Sequence, residues 1–161
     1  MSRPAASKTE ASDREIVTTR VIDAPRERLF RAWTDPAQLP IWWGPNGFTT
    51  TTKACEVRPG GGWVYTMHGP DGKHYPNKSV FLEVVQPERI VYSHGWDAPG
   101  AFTEMFQATW TFEAQGEKTN ITARSVFPSA EARDYVVKQF RADEGGQQNL
   151  ARLAAYLPTM R

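Results

Sequence analysis

The side chains that invite chemistry in this sequence are Cys55, Glu83 and the three histidines His68, His74 and His94. None of the histidines is spaced from another or from Cys55 like the Cys-x-x-Cys or His-x-x-x-His pairs of structural zinc sites, so no metal site is expected. His68 falls on the outward face of WVYTMH and His74 in the turn that follows, where water would solvate both. His94 follows Tyr92 at strand spacing and points inward. An inward histidine is either a hydrogen-bonded core member or a general acid–base group.

Glu83 stands among apolar neighbours in FLEVV, on the face of Phe81. A carboxylate desolvated there needs a partner or a raised pKa. Arg89 or Arg124 could pair with it; unpaired, it would be a general-base candidate. Glu83 and His94 are therefore the two catalytic candidates. Cys55, with no adjacent histidine, reads as a small buried apolar residue. RPGGGW joins strand to strand and lacks the following helix and the Lys-Ser/Thr pair of a phosphate loop. No Gly-x-Ser-x-Gly elbow is present, and nothing in the sequence calls for a cofactor.

The elements that must position these residues can be read from periodicity. EIVTTRVI is a β-branched strand. Asp23 and Pro25 then start a short amphipathic helix, RERLFRAW, with Leu29, Phe30 and Trp33 at helical spacing. Asp35-Pro36 ends it and opens a second short helix, PAQLPIWW, disturbed by Pro40. About six strands follow: FTTTTKACEV, WVYTMH, SVFLEVV, IVYSHGW, FTEMFQATWTFEA and NITARSVF. GPDGK and QGEKT are hairpin turns. Ser129 caps a long final helix with apolar patches at Tyr135-Val136-Phe140 and Leu150-Leu153-Leu157, and Gly145-Gly146 between them predicts a bend. The order is that of an α+β domain with an antiparallel sheet.

The totals restrict the function classes. A chain of 161 residues suits one domain, here residues 14–158, after a small, polar leader over 1–13 that is expected to be disordered. The formal net charge of +1 offers no basic platform for nucleic acid or a membrane surface. The N-terminus has no apolar run of signal-peptide or membrane-span type, and a single cysteine suits a reducing compartment, so a cytoplasmic location is expected. Homodimerisation is left open.

A long helix laid across a bent sheet need not touch it everywhere. The predicted inner faces carry Trp63, Tyr65, Met67, Phe81 and Trp110, and the last helix offers Phe140; Glu83 and His94 supply polar groups. Apolar walls with a few polar groups describe a ligand pocket, and they also describe a filled core. Both readings stay open on pattern alone.

The segments VIDAPRERLFRAWTDPAQLPIWWGP, RPGGGWVYTMHGPDGKHYP, FLEVVQPERIVYSHGW and EGGQQNLARLAAYL, in that order, resemble the AHSA1-like branch of the START/Bet v 1-like (SRPBCC) superfamily. The branch is named for the C-terminal domain of the activator of Hsp90 ATPase, and the resemblance runs from about Glu15 to Leu157. It implies a helix-grip fold: a seven-stranded antiparallel sheet around a long C-terminal helix, two short helices after the first strand, and a hydrophobic cavity between. Trp43 would then point into the cavity while Trp42 covers the corner. The resemblance implies binding of a small hydrophobic or aromatic molecule. Its rivals are an enzyme of cyclase, dehydratase or hydrolase type using an inward Glu or His, and a co-chaperone or interaction domain. The activator's companion N-terminal domain has no counterpart here, so chaperone stimulation is not expected. Relatives often carry a tryptophan after Glu-Gly in the last helix, where this chain has Gly146.

Overall fold

The computed structural model describes residues 13–98 and 101–160, with the side chains of 96–98, 101–103 and 140 outside the description. The leader expected over 1–13 lies almost wholly outside the described residues. Seven strands form one antiparallel sheet: β1 (Glu15–Ile22), β2 (Thr49–Cys55), β3 (Gly62–His68), β4 (His74–Val85), β5 (Arg89–Ala98), β6 (Ala101–Gln115) and β7 (Lys118–Val126). Their order is β1-β7-β6-β5-β4-β3-β2, a meander closed by β1 returning to pair with β7. Helices α1 (Arg26–Thr34) and α2 (Leu39–Trp42) follow β1, and α3 (Ala130–Phe140), α4 (Ala142–Tyr156) and a 3-10 turn (Leu157–Thr159) end the chain.

Three register shifts bend the sheet, at Thr52/Ala54, Phe81/Glu83 and His94/Gly95. A bulge adds a residue to one strand and increases its local twist and bend. The inward residues of β6 and β7 keep the expected alternation: Ala108, Trp110, Phe112 and Ile121 are all buried. Strand β4 starts five residues earlier than its sequence predicts, because Pro76 hides it. Pairing with β5 begins only at Lys78, so Pro76 lies where β4 is flanked by β3 alone and its missing N–H can be tolerated.

The C-terminal helix differs from expectation. It breaks at Arg141, which takes a left-handed conformation at φ 51° and donates its N–H to Val136 and Val137. Gly145 and Gly146 lie inside α4 instead of at the break. A Cβ on Gly146 would come 2.9 Å from Thr18 Cγ2 of β1, so this glycine permits close approach of helix to sheet. Ser129 caps α3 as predicted, its Oγ accepting the N–H of Ala132 at 3.1 Å. Asp23 does not cap α1; the residue before that helix is Pro25 and no side chain bonds its first turn. Among the described residues no helix is long and apolar enough to cross a membrane.

Candidate functional site

One half of the sheet's inner face is filled. Trp33 of α1 is fully buried and meets the rings of Trp43, Trp63, Phe81, Tyr92 and Trp110, with centroids 5.5 to 6.5 Å away. Aromatic pairs at such separations add about 0.5–1.5 kcal/mol each beyond the area they bury. Trp42 donates its indole N–H to Ala32 O at 3.1 Å, packing the corner after α2.

Beyond that cluster a cavity of about 530 Å³ lies between the sheet and the terminal helices, bounded on one side where Gly146 of α4 approaches Thr18 of β1. The volume is within the range of small-molecule sites, about 300–1,000 Å³. Its walls include Trp43, Tyr65, Met67, Phe106, Trp110 and Phe127, while the exposed Lys138, Gln139 and Arg141 mark the side that meets solvent. The loop between α2 and β2 is tied to α4, which fixes this rim. Asn149 Oδ1 accepts the N–H of Gly44 at 3.1 Å, and Arg152 donates to Gly44 O and Pro45 O at 2.9 and 2.8 Å.

A polar network is set into the cavity wall. Asn77 donates from Nδ2 to Tyr75 O at 2.9 Å, so its Oδ1 is the acceptor facing His94 Nε2 at 3.2 Å. His94 therefore carries its proton on Nε2, and its Nδ1 accepts from Ser79 Oγ at 3.1 Å. The Tyr65 hydroxyl is 3.5 Å from the same Nδ1, at the limit of a hydrogen bond. Burial holds the His94 pKa down at about 4, so the ring is neutral at pH 7. Burial also pushes the Tyr65 phenol well above its usual range, with Tyr92 adding to it and hydrogen bonds to Ser79 and Trp43 opposing. Tyr92 is raised for the same reason, and its oxygen accepts the Trp110 indole N–H at 3.2 Å. The wall presents hydrogen-bonding groups without charge.

Of the residues expected at a ligand site, Trp43, Tyr65, Met67 and Trp110 line the cavity, with His94 among them. Trp63 and Phe81 do not. Both are fully buried behind Trp33, so that expectation is corrected: the short helix α1 fills the space they were expected to face. The side chain of Phe140 lies outside the described residues. Glu83 is corrected in its orientation, while its expected pairing with an arginine is present. The bulge after Phe81 reverses the alternation, leaving Leu82 and Glu83 both exposed, and Glu83 pairs with Arg89 at 2.9 Å. Arg124 pairs instead with Glu15.

His68 and His74 are not independently solvated. They face each other across β3 and β4 with their Nδ1 atoms 2.7 Å apart, and His68 Nε2 also bonds Thr51. No group of three or more His, Cys, Asp or Glu converges among the described residues. Cys55 is half-buried, and desolvation pushes its thiol pKa up to about 11, away from the reactive thiolate.

Sequence reasoning missed Asn77, Asn149 and Lys138. Asn77 shares the alternation of Ser79 and Phe81 and would have been found had the strand been extended through Pro76. The other two are placed by the helix break, which leaves no local signal.

The family described as activator of Hsp90 ATPase homolog 1-like protein, AHSA1, matches residues 23–158. Similar solved structures include the crystal structure of protein Ms6760 from Mycobacterium smegmatis. It is 26% identical, with 94% of this chain and 95% of that one covered and a TM-score of 0.82. The solution structure of a protein from Arthrobacter aurescens is 27% identical over 93% of this chain and 89% of that one, also with a TM-score of 0.82. DynU16, a putative protein in the dynemicin biosynthetic locus, is 21% identical, covering 90% of this chain and 47% of that one at a TM-score of 0.64; it shares the fold alone. No curated protein sequence matches the chain. Sequence match and helix-grip architecture agree, and the chain belongs to the AHSA1 family of the SRPBCC-like fold.

Proposed function

We propose that this protein binds a small hydrophobic or aromatic molecule between its sheet and its terminal helices. The observation that carries the reading is the cavity of about 530 Å³ lined by Trp43, Met67, Phe106 and Trp110, with one uncharged polar network at Tyr65, His94 and Asn77. Apolar ligand surface leaving water would supply roughly 25 cal/mol per Å². The network would orient the guest by offering hydrogen bonds to a neutral oxygen or nitrogen. The half-buried free thiol suits a reducing, cytoplasmic setting.

The rival reading is catalysis, favoured by one observation: His94 faces the cavity without an ion partner. Both ring nitrogens are engaged, however, and burial makes the ring a poor base while raising the Tyr65 phenol makes it a poor acid. Binding accounts for these groups without asking them to move a proton.

The test is a panel of apolar and aromatic compounds read by melting temperature and tryptophan emission, on the wild type and on Ala123→Trp, which places a bulky ring in the cavity wall. Members of the panel should stabilise the wild type through linkage and lose that effect in the variant. A panel in which nothing stabilises the wild type rejects the reading.

A further inference from the structure

The charge around the cavity is one-sided. The chain holds 19 basic and 18 acidic residues, yet among the described residues no Asp or Glu lines the cavity, whereas Lys138 and Arg141 do. The two cations lie at the junction of α3 and α4, on the solvent side of a cavity whose deep end is neutral. Ion pairs among the described residues join Arg58, Arg89, Arg124, Arg133 and Arg141 to carboxylates, and Lys138 is in none of them. The Arg141 pair, to Glu144 at 3.4 Å, has side chains 77% and 56% exposed, a geometry that holds the guanidinium loosely.

From this we infer that the guest is an anionic amphiphile: an apolar body enters toward Tyr65 and His94, and a carboxylate stays at the mouth between Lys138 and Arg141. The inference rests on the cavity reading above and adds a charge to the guest. A buried carboxylate would be costly against a neutral wall, whereas one left at the rim keeps its hydration and gains two cations. Arg141 can offer a planar fork and Lys138 a point charge. The left-handed turn at Arg141 puts these residues on the rim; in one unbroken helix the chain would continue past it.

Octanoate and 1-octanol at pH 7.5 separate the two claims, because they share a chain and differ in charge. Binding is read as the rise in melting temperature over a concentration series. Octanoate should reach the same rise at about one-tenth the concentration of octanol in low salt, and the preference should shrink when salt screens the rim. In the double variant Lys138→Gln, Arg141→Asn the acid should fall to the level of the alcohol. Asparagine tolerates the left-handed conformation at that position. Octanol binding as well as octanoate in the wild type, or an acid preference that survives in the double variant, overturns the anionic guest and leaves the cavity reading standing. Binding of neither compound overturns the anionic guest, and the cavity reading then stands or falls with the apolar and aromatic panel.

Discussion

The two ends of this sheet use the same residue types for opposite purposes. Trp63 and Tyr65 are neighbours on one face of β3, stacked with centroids 3.7 Å apart. Trp63 is sealed behind Trp33 in a ring cluster, while Tyr65 looks into open volume beside His94. The difference is what lies opposite: α1 delivers a tryptophan to one end, while the α4 residues lining the other include the small Ala142, Gly145 and Gly146. Aromatic content alone therefore says nothing about whether a sheet face is filled.

The sharpest test of that contrast is a pair of truncations. Trp33→Ala removes the hub of the filled end and should cost about 3–5 kcal/mol in urea unfolding. Met67→Ala takes a half-buried side chain from the cavity wall and should cost about 1 kcal/mol. Similar losses would abolish the distinction.

His94 offers an effect next in size, confined to acid. Its folded pKa is depressed to about 4 against an ordinary 6.5, so the unfolded chain takes up the proton first. Stability from this group is full above pH 6.5 and is lost as pH falls toward 4, on the order of 3 kcal/mol in all. His94→Gln should show a flatter stability profile across that window; an unchanged slope would mean the ring is not desolvated as described.

The adjacent glycines divide along the same line. A Cβ at Gly145 meets only Pro45, at 3.6 Å, so Gly145→Ala should stabilise the helix by about 0.5–1 kcal/mol. Gly146→Ala runs into Thr18 and should fail to deliver that gain. Equal Tm shifts in the two variants would remove the packing role assigned to Gly146. Smallest of all, Glu83→Ala should change stability by about 0.5 kcal/mol or less, because its pair with Arg89 is exposed and far from the cavity. A larger loss, or any loss of ligand response, would reinstate Glu83 as a site residue.

Much of the fold was legible because it is written in local pattern. Alternation marked the strands, Ser129 its helix start, and Asp-Gly its hairpin. The site was legible only in part. Trp43, Tyr65, Met67 and Trp110 could be placed on inner faces, but an inner face does not reveal its opposite wall, and Trp63 and Phe81 were indistinguishable from them. Glu83 was misread because a single inserted residue at a bulge reverses every face assignment beyond it on that strand.

Sequence by itself determined the class of domain, the order of its elements and the presence of aromatic inner faces, since each follows from residue type and short-range period, and its family through the resemblance of whole segments. Tertiary structure decided where those faces are filled and where they are open. It set His94 neutral within a hydrogen-bonded wall, turned Glu83 outward, and brought Lys138 and Arg141 to one rim. The reason is physical: burial, pKa and enclosed volume depend on what the rest of the chain brings to the other side of a residue, and strand periodicity records only the side on which that residue stands.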